Sequence, residues 1–300
     1  MTKRVILAGG SGFLGGHLEQ ALLDRNYEPV VLTRSPRKPN QVAWDGKTPG
    51  DWTQYLEGAA AVINFTGKSV NCRYTPANRR EIVESRVDSV NVIHKAILGA
   101  KTPPSVLVQA ASAAIYGDAG SQTCDETASP GKGFSVETCL AWEHTFNSID
   151  LPETRKVLFR IGFALDKNGG ALQPLLQLTR FFLGGAAGNG QQYISWLHID
   201  DLNRMFIEAI ENPMTEGMYN AVGPNPVTNA AFMRTLRQVV GRPWSPSVPA
   251  PFVRIGAFLM GTEGELVLTG RRCLPTRFLK QGFTFQYTDL EQTLTAILTQ

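Results

Sequence analysis

The apolar run Val5-Ile6-Leu7-Ala8 passes directly into Gly9-Gly10-Ser11-Gly12-Phe13-Leu14-Gly15, after which Leu14, Leu18 and Leu22 recur at the spacing of one helix face. A buried strand that turns sharply into a helix leaves the first amides of that helix without intrahelical partners. Glycines in the turn allow close approach to the main chain, and the helix start carries positive partial charge. Strand, turn and helix together predict the first unit of a dinucleotide-binding fold, with Gly9, Gly12, Phe13, Leu14 and Gly15 around the diphosphate.

The rest of the chain extends that pattern. Turn-bounded apolar runs predict strands at 29–33, 42–44, 60–65, 105–110 and 156–160. Between them, helices are expected over 12–24, over 76–100 up to the stop at Thr102-Pro103-Pro104, and from the end of the 116–133 loop to about Ser148. Such alternation gives an α/β fold, a Rossmann-type doubly wound parallel sheet. Past Gly162 the alternation fades into glycine- and proline-rich stretches, so a smaller, mainly helical C-terminal subdomain is expected. The division predicted is a cofactor domain over 1–161 and a substrate-covering subdomain over 162–300, with segments such as 194–211 packing back on the first domain.

Coenzyme choice is read at the end of the second strand. A site for NAD usually places an acid there, whereas this chain has Thr33-Arg34, followed by Arg37. Guanidinium groups suit a 2′-phosphate, so the expected cofactor is NADP(H). Thr66 and Gly67, just past the strand at 60–65, and Arg160, at the end of the strand at 156–160, complete the residues assigned to it.

Other classes are disfavoured. The net charge of +3 is spread over short groups such as Arg79-Arg80 and Arg271-Arg272, which is too dispersed for nucleic acid. Cys72, Cys124, Cys139 and Cys273 have no CxxC spacing, and His17, His94, His144 and His198 have no zinc pattern, so reduced thiols and no metal are expected. With no apolar stretch near the ~18 residues that span a bilayer, no membrane partner and a cytoplasmic location are expected. The partner anticipated is an unknown small-molecule substrate, with a homodimer as the assembly to look for.

The GxxGxxG spacing, the segment Ala110-Ala111-Ser112-Ala113-Ala114-Ile115-Tyr116-Gly117 and the segment Trp196-Leu197-His198-Ile199-Asp200-Asp201-Leu202 resemble the extended short-chain dehydrogenases/reductases, the superfamily of nucleotide-sugar epimerases and dehydratases. Glu84-Ser85-Arg86, Arg160-Ile161-Gly162, Gly188-x-Gly190-Gln191-Gln192-Tyr193 and the tail from Val248 resemble its "epimerase family" branch, which ends in a small domain of unknown function. The resemblance covers nearly the whole chain.

The resemblance implies a tyrosine that moves the substrate proton, a lysine four residues later and a serine that polarises the carbonyl. In the matching window Phe134 stands for the tyrosine and Thr138 for the lysine, so the usual relay is absent. Ser112 remains as a catalytic candidate, and Tyr116, Tyr74, Glu137 and Cys139 are the candidate replacement acids. Arg86, where related enzymes carry an asparagine, and Gln192 are assigned to substrate. His198 is read as packing in the domain junction, with an aspartate beside it capping the following helix. The leading reading is an NADP(H)-dependent, epimerase-like oxidoreductase with altered acid–base chemistry. The alternatives are a non-catalytic NADP(H)-sensing regulator, as in relatives labelled cell-division inhibitors, and a nucleotide-sugar epimerase proper.

Overall fold

The computed structural model describes residues 3–299. Seven strands form one sheet: β1 (Lys3–Ala8), β2 (Tyr27–Thr33), β3 (Gln41–Ala43), β4 (Ala61–Asn64), β5 (Val106–Ser112), β6 (Arg155–Ile161) and β7 (Gly217–Ala221). Their spatial order is β3-β2-β1-β4-β5-β6-β7, and every neighbouring pair is parallel. The order reverses at β1, and the carboxyl ends of β1 and β4 flank the crevice where ligands bind in such sheets. Both faces are covered, which is why the central strands are continuously apolar: Val5, Ile6, Leu7 and Ala8 are all fully buried.

One face packs against α1 (Phe13–Leu23) and α5 (Ile199–Glu211), with Leu18, Leu22, Leu202 and Phe206 in a shared core. The other packs against α2 (Pro76–Leu98) and α3 (Phe134–Asn147) through Val90, Ile93, Ile97, Trp142 and Phe146. Thr75 caps α2 by accepting from the Asn78 amide, and Pro76 sits in the first turn, where its missing N–H costs nothing. A separate core joins α4 (Leu172–Arg180), α6 (Asn229–Val239) and α10 (Leu290–Thr299) through Leu176, Phe232 and Leu294. The short helices α7 (Ala250–Leu259), α8 (Glu265–Leu268) and α9 (Thr276–Lys280) lie between α6 and α10 in the chain.

The chain crosses the sequence division at residue 162 twice, since α5 lies beside α1 on the sheet and β7 extends the sheet next to β6. β7 is missing from the sequence-based expectation because it reads Gly-Met-Tyr-Asn-Ala, with no run of β-branched residues. In the 116–133 loop, Thr123–Cys124 pairs in parallel with Arg272–Cys273 and ties that loop to the C-terminal segment.

His94 on α2 is fully buried beside the Phe146 ring, with neither ring nitrogen hydrogen-bonded. Burial, aided by the Lys156 charge, pushes its pKa down to about 4. Above pH ~6.5 the ring is neutral whether the chain is folded or not. Below that, the unfolded chain takes up a proton that the folded chain refuses, so acidification removes stability until the folded pKa is reached. The His94 contribution to that loss is roughly 3 kcal/mol. Denaturant unfolding at pH 6.5 and 4.5 is expected to show a steeper loss for the native chain than for His94→Leu, and parallel losses would contradict it.

Candidate functional site

At the carboxyl end of β1, Gly9 takes φ +68°, and a side chain there would lie 2.7 Å from the Thr66 hydroxyl oxygen. A methyl on Gly15 would collide with the Gly10 carbonyl, so helix and turn pack without space between them. Gly12 differs, since nothing lies within 4 Å of the position its side chain would take. It is the N-cap of α1 and supplies no side-chain cap, and no acid stands in the first turn. The helix therefore presents free amides to open space. The Thr66 hydroxyl, buried at the edge of this cradle, has no hydrogen-bond partner.

The ring of Phe13 is roofed by Gly169 and Gly170, where any side chain would clash with it, and meets His17 edge-on at 5.2 Å. Phe13 therefore offers its main-chain amide and not its ring. At the end of β2 the Thr33 hydroxyl donates to Ser11 Oγ at 3.2 Å, which steadies the loop. Arg34 and Arg37 follow on the surface, and among the described residues neither lies within ion-pair distance of a carboxylate.

Beyond the crevice stand the carboxyl end of β5 and the first turn of α3. Ser112 Oγ accepts from the Ala114 amide at 3.2 Å, which leaves its hydrogen free to donate. The Thr138 hydroxyl donates to the Phe134 carbonyl at 2.9 Å. Phe134 meets Tyr74 edge-on at 5.0 Å, and the Arg79 guanidinium lies over the Phe134 ring. Burial raises the Tyr74 pKa, opposed by Ser135 and by the Arg86 charge. Arg86 projects from α2 over the Trp142 ring at 5.0 Å and donates to the Ile82 and Lys68 carbonyls at 2.8 and 3.0 Å.

The NAD dependent epimerase/dehydratase family matches residues 5–137, and a domain of unknown function, DUF1731, matches residues 248–297. An epimerase family protein SDR39U1 homolog, chloroplastic, from Arabidopsis thaliana is 34% identical over 98% of this chain and 86% of its own. Epimerase family protein YfhF of Bacillus subtilis is 32% identical over 98% and 97% of the two chains. The chain belongs to the epimerase family. The crystal structure of human epimerase family protein SDR39U1 with NADPH superposes with a TM-score of 0.88 at 28% identity, covering 99% of each chain.

Within this epimerase-family frame, Gly9, Gly12, Phe13, Leu14, Gly15, Thr33, Thr66 and Gly67 gather at the crevice, with Arg34 and Arg37 at its rim. Three assignments are corrected. Arg160 is buried and pairs with Glu143 through two hydrogen bonds of 2.9 and 2.8 Å, so its guanidinium is not available to a cofactor. Tyr116 is not a free acid: its hydroxyl accepts from Arg160 Nη1 at 2.8 Å and has Asn220 Oδ1 and the Asp125 carbonyl as acceptors. Burial pushes its pKa up to about 12. Gln192 is buried, and its side-chain nitrogen donates to the Ala187 and Val267 carbonyls, holding main chain instead of substrate.

Among the alternative acids, burial pushes the Cys139 thiol up to about 12 and Glu137 is exposed on the helix surface. His198 is itself the cap of α5, its Nδ1 accepting from the Asp200 amide at 3.1 Å while its ring stacks on Tyr287. An aspartate of the Asp200-Asp201 pair was expected in that role; Asp201 instead accepts from Arg204 and from the Gln286 and Tyr287 amides. Sequence reasoning also missed a buried polar set behind the crevice, in which Asn64 Nδ2 donates to Gln109 Oε1 at 2.9 Å and to Ser89 Oγ at 3.1 Å. The signal available was a polar residue at the same place in two otherwise apolar strands, Asn64 in β4 and Gln109 in β5.

Proposed function

We propose that the chain binds NADP(H) in the crevice and is an epimerase-like oxidoreductase of the short-chain class whose proton relay does not use a tyrosine–lysine pair on α3. The open position over Gly12, beside an unpartnered Thr66 hydroxyl, carries this reading, because it is the fit expected for a bound diphosphate. The amides at the start of α1 would hold the diphosphate, and Arg34 with Arg37 would hold the 2′-phosphate. NADPH, found with the human relative, would supply a hydride. Ser112 has a free donor for a substrate oxygen, and Arg86 reaches the same side of the crevice from α2. No helix among the described residues is long and apolar enough to cross a membrane, and the reading places a small-molecule reaction in the cytoplasm.

A second reading, a non-catalytic NADP(H) sensor, has one observation in its favour: Phe134 cannot titrate, and Thr138 spends its hydrogen on its own helix. Absorbance of NADPH at its nicotinamide band, followed with a panel of ketones, aldehydes and quinones, separates the two. The oxidoreductase reading expects coenzyme consumption that Ser112→Ala slows by about 100- to 1000-fold, the scale for loss of one oxyanion donor, while NADPH affinity stays unchanged. Tight NADPH binding with no consumption across the panel would favour the sensor.

A further inference from the structure

All four cysteines are free thiols, but two of them are neighbours. Thr123–Cys124, in the 116–133 loop, runs parallel to Arg272–Cys273, in the C-terminal segment, and the register sets Cys124 directly against Cys273. Residues in register on paired strands send their side chains to the same face. Both thiols accordingly enter one small core, with Ala113, Ile115, Tyr116 and Val222. Adjacent strands lie about 4.8 Å apart, inside the roughly 4.4–6.8 Å that separates the α-carbons of a disulfide.

The main chain holds this register without help from the sulfurs. The Leu274 amide donates to the Cys124 carbonyl at 3.0 Å, and Asn220 Nδ2 donates to the same carbonyl at 3.2 Å. On the other strand the Cys273 amide donates to Ser195 Oγ at 2.8 Å. Little main-chain movement is needed to join the two side chains.

The thiols are unequal. When neutral, Cys124 Sγ donates to the Gln122 carbonyl at 3.7 Å. Its thiolate accepts a hydrogen bond from Cys273, and this bond, with the Arg271 charge, draws the Cys124 pKa below the ordinary thiol value against the effect of burial. The same bond and burial push Cys273 up. Thiolates are the nucleophiles of sulfur chemistry, so Cys124 attacks and Cys273 resolves. Cys139 shares the core, but burial pushes its thiol up to about 12, which makes it a poor competitor. Cys124 is 3% exposed and Cys273 is fully buried, so the oxidant that reaches them must be small.

We propose that Cys124 and Cys273 are a redox-sensitive pair, oxidised by hydrogen peroxide to a disulfide that locks the 116–133 loop to the C-terminal domain. The Cys124 thiolate attacks one peroxide oxygen and the O–O bond breaks, giving a sulfenic acid and a hydroxide that takes up the proton Cys124 had released. The Cys273 sulfur then attacks the Cys124 sulfur, the S–S bond forms as the S–O bond breaks, and the Cys273 proton leaves with the hydroxyl as water. The two thiols lose two electrons and two protons, and the peroxide becomes two waters. The lock falls just after α8 in the chain. Between α7 and α8, Glu263 accepts from the Tyr74 amide at 2.6 Å, and the Phe258 carbonyl of α7 accepts from Arg73 at 3.1 Å. Oxidation would therefore stiffen the segment that holds Arg73 and Tyr74 beside Phe134.

The test is peptide mapping of the full folded chain, reduced, freed of reductant, treated with hydrogen peroxide and alkylated under non-reducing conditions. A peptide pair linked through Cys124 and Cys273, lighter by two hydrogens than its parts and released by dithiothreitol, is the result expected. The oxidised chain should melt several degrees above the reduced one, because a long loop has been closed. Cys124→Ser and Cys273→Ala should each abolish the link and the rise, and Cys72→Ser neither. Mapping of the native chain stands by itself if a variant fails to fold. Both thiols still open to alkylation after peroxide and unfolding, linkage through Cys72 or Cys139 instead, or Cys124 carried to sulfinic acid without a link would each overturn the proposal. A link with no rise in melting temperature would overturn the lock, since the bond would then oppose the native register.

Discussion

Replacing Glu143 by alanine is expected to destabilise the folded chain by about 3–5 kcal/mol, the scale for stranding a buried charge. Its side chain is 9% exposed and that of Arg160 is 6% exposed, so water cannot replace the lost carboxylate. The damage would spread, because Arg160 also donates to the Tyr116 hydroxyl, and the Tyr116 hydroxyl reaches Asn220 of β7. Asn220 in turn donates to the Cys124 and Leu274 carbonyls and so joins the sheet to the 116–133 loop and the C-terminal segment. Glu143→Leu combined with Arg160→Met should recover much of the loss, since removing both charges strands neither. Urea unfolding measures all three, and a loss under about 1 kcal/mol for the single variant would show that the pair behaves as a surface salt bridge.

Arg34→Ala is expected to weaken NADPH by about 10- to 100-fold and to leave NADH within a few-fold, the difference being one charge-assisted contact to the 2′-phosphate. Exposure of Arg34 sets the lower end of that range, because solvent and salt screen the pair. Arg37→Ala should act in the same direction and less strongly, as Arg37 lies three residues farther from the strand end. Raising the salt concentration should narrow the gap between the coenzymes in the native chain and hardly alter it in Arg34→Ala. Equal losses for NADPH and NADH in the variant would assign Arg34 to the general charge of the rim.

The parts of this molecule that could be read from sequence are those whose cause is local. Val5–Ala8, the glycines and the leucines of α1 lie within one short stretch, and each residue there favours the same strand–turn–helix. β7 escaped because Gly217–Ala221 has no apolar pattern of its own and owes its strand to pairing with β6. The Tyr116–Arg160–Glu143–Asn220 set escaped for a related reason. Its members lie 17, 44 and 104 residues apart along the pairs that bond, and polar satisfaction between distant residues leaves no periodic trace. Arg160 and Gln192 were therefore assigned to ligands when they hold the scaffold.

The claim on which the rest depends is that a dinucleotide diphosphate sits over Gly12 with its 2′-phosphate at Arg34. Titration of the purified full chain with NADPH and then NADH, followed by coenzyme fluorescence, tests it most directly. Saturable one-to-one binding with NADPH preferred is the result expected, and failure of both coenzymes to bind would contradict it.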